Sequence, residues 1–352
     1  MIPVVIPSYE PDERFPAILK DIKEAGMGPV IVVDDGSGPE YKKYFDEAYE
    51  LIRDLGGVVL THEVNKGKGR GLKTAFTYIL ENLPEAIGCI TADSDGQHSV
   101  KCIKSCMDAL EKQPDTLVLG VRDFSGEDVP FKSRAGNNIT IKVCDFLCGV
   151  KVSDTQTGLR GIPKKFMEEL LDVKGERFEF ETQMLLETLN KYPIKEVEIE
   201  TIYDSKENHQ SHFNPFKDSI KIYKILAKKF FLYIFSSLSS SVIDFVLFIL
   251  FCNLFRDKYE TLYILFATVL ARIASCTYNF IFNYNKVFKS DEPLVKSITK
   301  YAVLSVFILL CSALLVTILV KLTSPTYEVL FKCTVDTILF FVSYKIQQKV
   351  IF

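Results

Sequence analysis

Two aspartates one residue apart follow the short apolar run 87–90, and a glycine, an amide and an imidazole come directly after them. In an extended segment, residues i and i+2 point to the same side, so Asp93 and Asp95 can both reach one cation. Gln97 offers a third, neutral oxygen. Hard oxygen ligands with no cysteine pair nearby favour Mg²⁺ or Mn²⁺, and such an ion would neutralise a diphosphate leaving group. A solvated acidic turn is the alternative interpretation.

Four other polar clusters stand at the ends of strand-like runs: residues 8–10, 34–37, 65–70 and Arg122. Strands are predicted at 3–9, 29–37, 57–63, 88–95 and 116–122, with helices near 15–25, 40–55, 71–82 and 100–112 between them. This alternation predicts an α/β domain with a mainly parallel sheet. Because ligands of such sheets bind at the carboxyl ends of the strands, all five clusters are expected to converge on one crevice.

Two of these clusters support a chemical hypothesis of their own. The acids in VVDDGSG, which include Asp35, suit hydrogen bonds from a ribose or a base edge, although an acid beside a glycine is ordinary in a turn. The loop NKGKGRG offers glycines, backbone N–H groups and cationic side chains, among them Lys68, before a predicted helix. That environment favours a diphosphate, but the loop matches neither the Walker pattern nor GxGxxG. An exposed basic turn is the alternative.

The composition divides the chain of 352 residues into two unlike parts. Up to about Lys229 charges are spread throughout, whereas beyond it long stretches rich in Phe, Leu, Ile and Val carry few charges. The formal net charge of -3 gives no reason to expect a nucleic-acid partner. No secretory signal precedes the first predicted strand, so the N-terminal part is expected in the cytoplasm. The nine cysteines contain no CxxC pair and are expected to be reduced thiols.

Of four apolar segments, most approach the ~20 residues with which a helix crosses the hydrocarbon core of a bilayer, and the last is marginal and needs its flanks. They are residues 230–255, 262–282, 301–320 and 329–345. The lysine-rich flanks predict an integral protein of the cell membrane, with the soluble domain and both termini in the cytoplasm. In residues 214–229, blocks of apolar residues alternate with lysines, which predicts an amphipathic interfacial helix. A plain connector helix is the alternative.

Charged residues occur inside these apolar segments: Asp244, Arg272, Lys332 and Asp336. Because a charge in lipid is expensive, each is expected to face the interior of the helix bundle or another charge. One hypothesis is a polar path that handles a lipid phosphate or a sugar. The other is an internal Arg–Asp pair that locks the helices together, since one arginine with two aspartates makes a buried cluster plausible.

Five ordered motifs resemble the family-2 inverting glycosyltransferases of the GT-A fold: VVIPSYEPDERF, VVDDGSG, HEVNKGKGRGLKTAF, ADSDGQH and DTQTGLRGIPKKF. They are most similar to the polyprenyl-phosphate branch, which includes dolichol-phosphate mannose synthases and undecaprenyl-phosphate glucosyltransferases. The segment ARIASCTYNFIFNYNKVF resembles a GtrA-like membrane domain. The resemblance implies a Rossmann-like GT-A domain for nucleotide sugars over residues 1–213, and an all-α transmembrane domain of about four helices over residues 230–352.

The resemblance also implies roles for individual residues. The predicted donor-binding residues are Pro7, Tyr9, Glu10, Asp35, Lys68, Asp93 and Gln97. The predicted metal ligands are Asp93, Asp95 and Gln97. The predicted catalytic residues are Asp95, Arg122, Arg134, Asp154 and Arg160. The acceptor phosphate is assigned to Arg122 and Arg134 by the resemblance, and to Ser211 and His212 by their place in the sequence close to the basic helix. Asp154 is expected to orient Arg160 or a sugar hydroxyl. Gly96 departs from the bulkier residue of many relatives near the sugar pocket.

The implied reaction is inverting transfer of a hexose from GDP-mannose, UDP-glucose or UDP-GlcNAc to a dolichyl or undecaprenyl phosphate, with Mg²⁺ or Mn²⁺ as cofactor. It would take place at the cytoplasmic face of the membrane. The second pKa of a phosphate monoester is about 6, so the acceptor needs cationic positioning rather than a strong base. In the alternative, the membrane domain chiefly transports a lipid-linked sugar and the soluble domain only binds it. Whether the chain forms a homo-oligomer is left open.

Overall fold

The computed structural model describes residues 1–123, 131–189, 191–200, 217–257, 262–323 and 327–352. The chain divides into two compact units, Met1–Ile225 and Leu226–Phe352. The strands of the first unit are β1 (Val4–Ser8), β2 (Val30–Asp34), β3 (Val58–Thr61), β4 (Gly88–Thr91), β5 (Leu117–Arg122), β6 (Arg160–Pro163) and β7 (Ile194–Ile199). Its helices are α1 (Arg14–Glu24), α2 (Lys42–Ile52), α3 (Lys68–Asn82), α4 (Val100–Lys112), α5 (Phe131–Cys148), α6 (Lys164–Leu171) and α7 (Glu179–Glu187).

These seven strands form one mixed sheet in the order β3-β2-β1-β4-β6-β5-β7. The neighbours β1 and β2, β2 and β3, β1 and β4, and β5 and β7 pair in parallel. Strand β6 runs antiparallel to both β4 and β5. The predicted alternation of five strands and four helices is confirmed, whereas β6 and β7 were not predicted from the sequence. The short strand β6 follows directly on a polar loop, which conceals its apolar pattern.

The strands β1, β2 and β4 are buried along their whole length, because helices cover both faces of the sheet. Phe15 of α1 is fully buried, and its ring centroid lies 5.6 Å from that of Phe45 of α2. Phe76 of α3 and Ile103 of α4 are likewise fully buried. This core fixes the strands, and all except β6 end at the same edge of the sheet. Since β6 is antiparallel, the loop that precedes Arg160 reaches that edge as well.

The remaining chain is helical. Its helices are α8 (Lys217–Phe255), α9 (Tyr263–Phe282), α10 (Leu294–Leu322) and α11 (Glu328–Ile346). Five-residue π-helical segments, Asn283–Val287 and Gln347–Ile351, extend α9 and α11. The predicted interfacial helix and the predicted first span are parts of one continuous helix, α8.

Three of the described helices are long and apolar enough to cross a membrane: Ser219–Phe255, Tyr263–Val287 and Leu294–Leu322. The fourth predicted span corresponds to α11, which has 19 residues but is not apolar enough to be counted with these three helices. The reason is its charge, since α11 contains Glu328, Lys332, Asp336 and Lys345.

Amide and hydroxyl side chains join the helices of the second unit at one end. The Asn283 side chain donates to Oδ1 of Asn279 (3.1 Å) and to Oε1 of Gln347 (3.0 Å). Gln347 donates to the hydroxyl of Tyr233 (3.1 Å), and Tyr301 donates to Asn279 (2.7 Å). These bonds connect α8, α9, α10 and the segment after α11. Such contacts hold helices together where the surroundings offer no water.

The charged residues of the predicted apolar segments form two separate pairs. Arg272 of α9 lies 3.2 Å from a carboxylate oxygen of Asp244 of α8, which also accepts a hydrogen bond from Ser275 (2.8 Å). Lys332 lies 2.9 Å from Asp336, one turn away on α11. The predicted Arg–Asp pair that joins two helices is therefore present between Arg272 and Asp244, whereas Asp336 pairs with Lys332 instead of the arginine. The sequence could not resolve this point, because Lys332 offered a partner at helical spacing on the same helix.

Candidate active site

A cavity of about 400 Å³ opens at the edge of the sheet where the strands of the first unit end. Each of the five polar clusters contributes to its wall, for example through Tyr9, Asp35, Asn65, Asp95 and Arg122. The predicted convergence of these clusters on one crevice is confirmed. The volume lies in the range of pockets that bind small molecules.

The cavity does not collect every predicted site residue. Its wall includes Pro7, Tyr9, Glu10, Asp35, Lys68, Asp93, Asp95, Gln97 and Arg122. Arg134, Asp154 and Arg160 are described but do not line it. Ser211 and His212, predicted for the acceptor phosphate, lie outside the described residues, as do 201–216 as a whole.

Asp35, predicted to bind the nucleotide, holds the neighbouring loop in place. Its carboxylate accepts hydrogen bonds from the backbone N–H groups of Lys66 (2.9 Å) and Gly67 (2.7 Å). It also contacts Nδ1 of His62 at 2.8 Å, and Nε2 of His62 contacts the hydroxyl of Thr74 at 2.9 Å. Asp35 is only 3% exposed. Asp35 therefore shapes the cavity through the loop that begins α3.

The loop NKGKGRG takes part in packing against α7 and the residues before it. A Cβ atom added at Gly69 would lie 2.6 Å from Cβ of Phe180, so glycine allows α3 to approach α7 closely. Arg70 forms an ion pair with Glu176 (2.5 Å) outside the cavity wall. Lys73 donates to the carbonyl oxygen of Val173 (2.5 Å). Of the basic side chains in this loop, the one that lines the cavity is Lys68.

Asp93 is held between two basic groups. Nζ of Lys68 lies 2.7 Å from its Oδ1, and Nε2 of His98 lies 3.5 Å from its Oδ2. Lys68 also contacts Glu181 of α7, at 2.9 Å. Burial by itself would raise the pKa of Asp93, but the Lys68 ammonium together with His98 more than offsets this and holds that pKa well below its usual range. The pKa of Lys68 is raised, because Asp93 and Glu181 outweigh its burial.

Asp95 stands in the opposite electrostatic situation. Burial and the neighbouring Asp93 carboxylate both raise its pKa. One of its oxygens accepts a hydrogen bond from the backbone N–H of Gln97 (3.1 Å). Two acids crowded in this way are stabilised by a cation that both can share.

The donor set of the cavity fits a divalent cation that is also bound by a substrate. Within the described ranges, no group of three His, Cys, Asp or Glu side chains is placed to hold a metal. Mg²⁺ is commonly bound through one or two carboxylates together with substrate phosphates. Asp93, Asp95 and the amide of Gln97 line one cavity and match that arrangement.

Arg122 is fixed by a buried acid. Its Nε donates to Oδ2 of Asp154 (2.7 Å) and its Nη2 to Oδ1 (3.2 Å), so the two side chains meet in a fork geometry. Asp154 has no exposed surface, whereas the Arg122 side chain is 24% exposed. The Asp154 carboxylate pairs with Arg122 rather than with Arg160, while its contact with a sugar hydroxyl stays a prediction. Such a bidentate pair restricts the guanidinium to one orientation.

Arg160 lies beneath the cavity and is 1% exposed. Its Nε donates to the carbonyl oxygen of Thr157 (2.9 Å) and its Nη1 to that of Glu181 (2.7 Å). Arg160 thus connects the loop before β6 to α7. Arg134 lies on α5 and is partly buried. A direct contact of either arginine with a phosphate remains a prediction.

The structure also brings residues to the cavity for which no role was predicted. Arg14 lines it while its guanidinium contacts the Asp12 carboxylate (2.6 Å). Arg177, just before α7, and Ile222 of α8 line it as well. Arg14 and Arg177 occur in the motifs PDERF and GERFEF, so a basic residue within each motif was the available indication. Nothing in the sequence near Ile222 indicates that it reaches this cavity.

Comparison with protein families identifies both parts of the chain. Residues 4–171 match the family model "Glycosyl transferase family 2", and residues 223–352 match "GtrA/DPMS, transmembrane domain". The chain therefore consists of a family 2 glycosyltransferase domain of the GT-A fold followed by a GtrA/DPMS transmembrane domain. With three apolar helices, it is a membrane protein.

Several curated proteins are similar to the first part. An uncharacterized protein of Methanocaldococcus jannaschii is 29% identical over 205 residues, covering 57% of this chain and 81% of its own length. The UDP-N-acetylglucosamine–dolichyl-phosphate N-acetylglucosaminyltransferase of Methanococcus voltae is 26% identical, covering 58% of this chain and 86% of its own. The dolichyl-phosphate hexose transferase of Haloferax volcanii is 27% identical, covering 47% of this chain and 68% of its own.

Gly158 allows us to test the placement of Asp93. A Cβ atom at this position would overlap the Asp93 carboxylate, and the Gly158 carbonyl is fixed by a hydrogen bond from Thr91 (2.8 Å). We expect Gly158→Ala to displace the carboxylate and to weaken Mn²⁺ binding about 10- to 100-fold, as loss of ligand support commonly does. Electron paramagnetic resonance of free Mn²⁺ measures this directly.

The matched control is Gly136→Ala on α5, where an added Cβ meets nothing within 4 Å. This variant should bind Mn²⁺ as the wild type does. If Gly158→Ala also retains wild-type Mn²⁺ affinity, Asp93 is not a ligand of the cation.

Proposed function

We propose that this family 2 glycosyltransferase transfers a hexose from a nucleoside diphosphate sugar to a polyprenyl phosphate, with inversion at the anomeric carbon. The supporting observation is the single cavity in which the paired carboxylates Asp93 and Asp95 meet the fixed guanidinium of Arg122. Such a cavity can accommodate a cation-bound diphosphate beside a second phosphate. The names of the Methanococcus voltae and Haloferax volcanii relatives, both dolichyl-phosphate transferases, support the class of acceptor.

The donor would occupy the part of the cavity formed after β1, β2 and β4. Tyr9 and Glu10 follow β1 there, and a hydrogen bond between them raises the pKa of the Tyr9 hydroxyl. The backbone N–H of Glu10 donates to Ser37 (2.9 Å), which links the ends of β1 and β2. These groups present hydrogen-bonding partners for a nucleoside, while the apolar ring of Pro7 completes the wall.

Asp93, Asp95 and Gln97 would hold Mg²⁺ or Mn²⁺ together with oxygens of the donor diphosphate. When bound, such an ion neutralises the diphosphate and makes it a better leaving group. Lys68, which lines the same cavity, supplies a further positive charge on this side.

The acceptor needs positioning and no general base. A phosphate monoester with a second pKa of about 6 is largely a dianion at neutral pH. Its oxygen would form a bond to the anomeric carbon as the bond from that carbon to the diphosphate breaks, and the diphosphate would keep the electron pair. Arg122, held by Asp154, would align the acceptor against the repulsion between the two phosphate groups. Arg177 provides a second guanidinium at this cavity.

Direct assay of the full-length protein tests this function. Purified protein in detergent is incubated with dolichyl or undecaprenyl phosphate, Mn²⁺ and a panel of labelled UDP- and GDP-sugars. We expect lipid-extractable label from one donor, and loss of at least about 100-fold of that activity in Asp95→Asn. Asp46→Asn, which changes an exposed acid on α2, is the control and should retain full activity. Full turnover in excess chelator would contradict the role of the cation.

We further propose that α11 crosses the membrane, so that both termini lie in the cytoplasm. Its 19 residues span about 28 Å as a helix, close to the ~30 Å hydrocarbon core. The ion pair between Lys332 and Asp336, with the hydroxyl of Ser312 2.7 Å from Lys332, lowers the cost of their charges. Lysines at the C-terminal end of α11 favour the cytoplasmic side.

Fusions after Phe352 test this orientation. A fluorescent protein placed there should fold and fluoresce, as it does in the cytoplasm, and alkaline phosphatase should be inactive. Active phosphatase at this position would mean that α11 does not span the membrane.

A polar cavity in the second unit favours a second candidate function, transport of the lipid-linked sugar. This cavity of about 230 Å³ is lined by Asp244, Arg272, Ser240, Ser275 and Asn279, among others. Hydroxyl, amide and paired charged groups can bind a hydrated sugar within an apolar surrounding. A transport step would use this cavity, whereas a purely anchoring domain would not need it.

Proteoliposomes distinguish transport from anchoring. If the second unit transports product, Arg272→Gln should abolish movement of labelled product across the bilayer and leave sugar transfer unchanged. Arg256→Gln, outside this cavity, is the matched control. Wild-type movement in Arg272→Gln would exclude this function for the cavity.

A further inference from the structure

The ammonium group of Lys68 stands between two carboxylates from different parts of the first unit. It lies 2.7 Å from Oδ1 of Asp93, which follows β4, and 2.9 Å from Oε1 of Glu181 on α7. The Lys68 side chain is 17% exposed and lines the main cavity. Lys68 therefore already neutralises a carboxylate that a divalent cation would use.

The backbone holds Lys68 in this place. Gly67, the residue before it, has a φ of +99°, a conformation that a residue with a side chain rarely adopts. The backbone N–H of Arg70 donates to the carbonyl oxygen of Glu176 (2.9 Å), which ties the start of α3 to the segment before α7. Because α3 and α7 are joined in this way, Lys68 and Glu181 are placed together by the fold.

A metal ion and the Lys68 ammonium compete for Asp93. Two cations that share one carboxylate repel each other, and the repulsion is strong in a partly buried cavity. Glu181 offers Lys68 a second partner, so the ammonium group can give up Asp93 and still remain paired. A phosphate group in the cavity would offer it a third.

We propose that Lys68 is a displaceable counter-ion that makes binding of the divalent cation depend on binding of the nucleoside diphosphate. Without nucleotide, Lys68 forms an ion pair with Asp93 and weakens binding of the divalent cation. With nucleotide, Lys68 turns to the diphosphate oxygens, and Asp93 becomes free to act as a ligand. This inference rests on the proposed function, because it takes a nucleoside diphosphate to be the ligand of the cavity. It assigns Lys68 a positioning role in ordering the two binding events.

The coupling must be reciprocal, since each ligand changes the affinity of the other by the same factor. In the wild type, Mn²⁺ alone should bind weakly, and GDP or UDP should strengthen it. A direct bond between metal and phosphate also contributes to this coupling. The contribution of Lys68 is the part that disappears when its charge is removed.

Mn²⁺ binding to the full-length protein in detergent tests the proposal without any activity assay. In the absence of nucleotide, Lys68→Met should bind Mn²⁺ about tenfold more tightly than the wild type, because the competing charge is gone. Lys68→Arg keeps the charge and should remain close to the wild type. Lys104→Met removes a lysine that is 66% exposed on α4 and should have no effect.

Nucleotide binding provides the second measurement. With EDTA present, GDP and UDP should bind Lys68→Met more weakly than the wild type. The nucleotide that binds more tightly should strengthen Mn²⁺ binding in the wild type. In Lys68→Met this strengthening should be about tenfold smaller, because Lys68 no longer competes with Mn²⁺ for Asp93.

The outcomes separate this inference from the proposed function. Equal affinities of wild type and folded Lys68→Met for Mn²⁺ alone would overturn the inference and leave the proposed function standing. If Lys68→Met does not fold, the variant Glu181→Gln is measured instead. It leaves Lys68 with Asp93 as its partner, so the affinity for Mn²⁺ without nucleotide should fall. An unchanged affinity for Mn²⁺ would overturn the inference. A wild type that binds neither Mn²⁺ nor nucleotide would overturn both.

Discussion

Repulsion between two carboxylates at the end of β4 is the constraint on which the site depends. Asp93 and Asp95 are partly buried in one cavity, and the charge of the first raises the pKa of the second. The fold offsets this cost with Lys68, which is itself charged because Asp93 and Glu181 surround it. In the proposed complex, a divalent cation would take the place of Lys68 in offsetting this cost. The same crowding that makes the site unfavourable by itself would favour the binding of a metal-bound diphosphate that we propose.

The direction of strand β6 explains which residues pack against the carboxylate of Asp93. Because β6 runs antiparallel to β4 and β5, the loop that precedes it returns to the edge where the other strands end. That loop supplies Gly158, whose missing side chain leaves room for Asp93, and Asp154, whose carboxylate holds Arg122. One reversal of strand direction thus places the support for Asp93 and for Arg122 in the same loop.

The sequence predicted where the chemistry lies better than it predicted which side chains pair. Five polar clusters follow apolar runs, and because parallel strands end at one edge, their convergence could be inferred without coordinates. The partner of Asp154 could not be inferred. Arg160 is nearer in sequence, but Arg122 is nearer in space, since β5 and β6 are neighbours in the sheet. Likewise, the glycines of NKGKGRG resemble a phosphate loop, and only the contact of α3 with residues 176–180 shows that they allow close packing.

Arg122 of β5 and Arg160 of β6 illustrate a division between binding and support. Arg122 is held on one side by a fully buried acid and keeps part of its guanidinium exposed in the cavity, so it can contact an anion. Arg160 is buried, with two of its nitrogens on backbone carbonyls, and burial lowers its pKa. A guanidinium that already donates to backbone carbonyls has less capacity left for a substrate. Arg160 therefore contributes by fixing α7, and with it Glu181 and the position of Lys68.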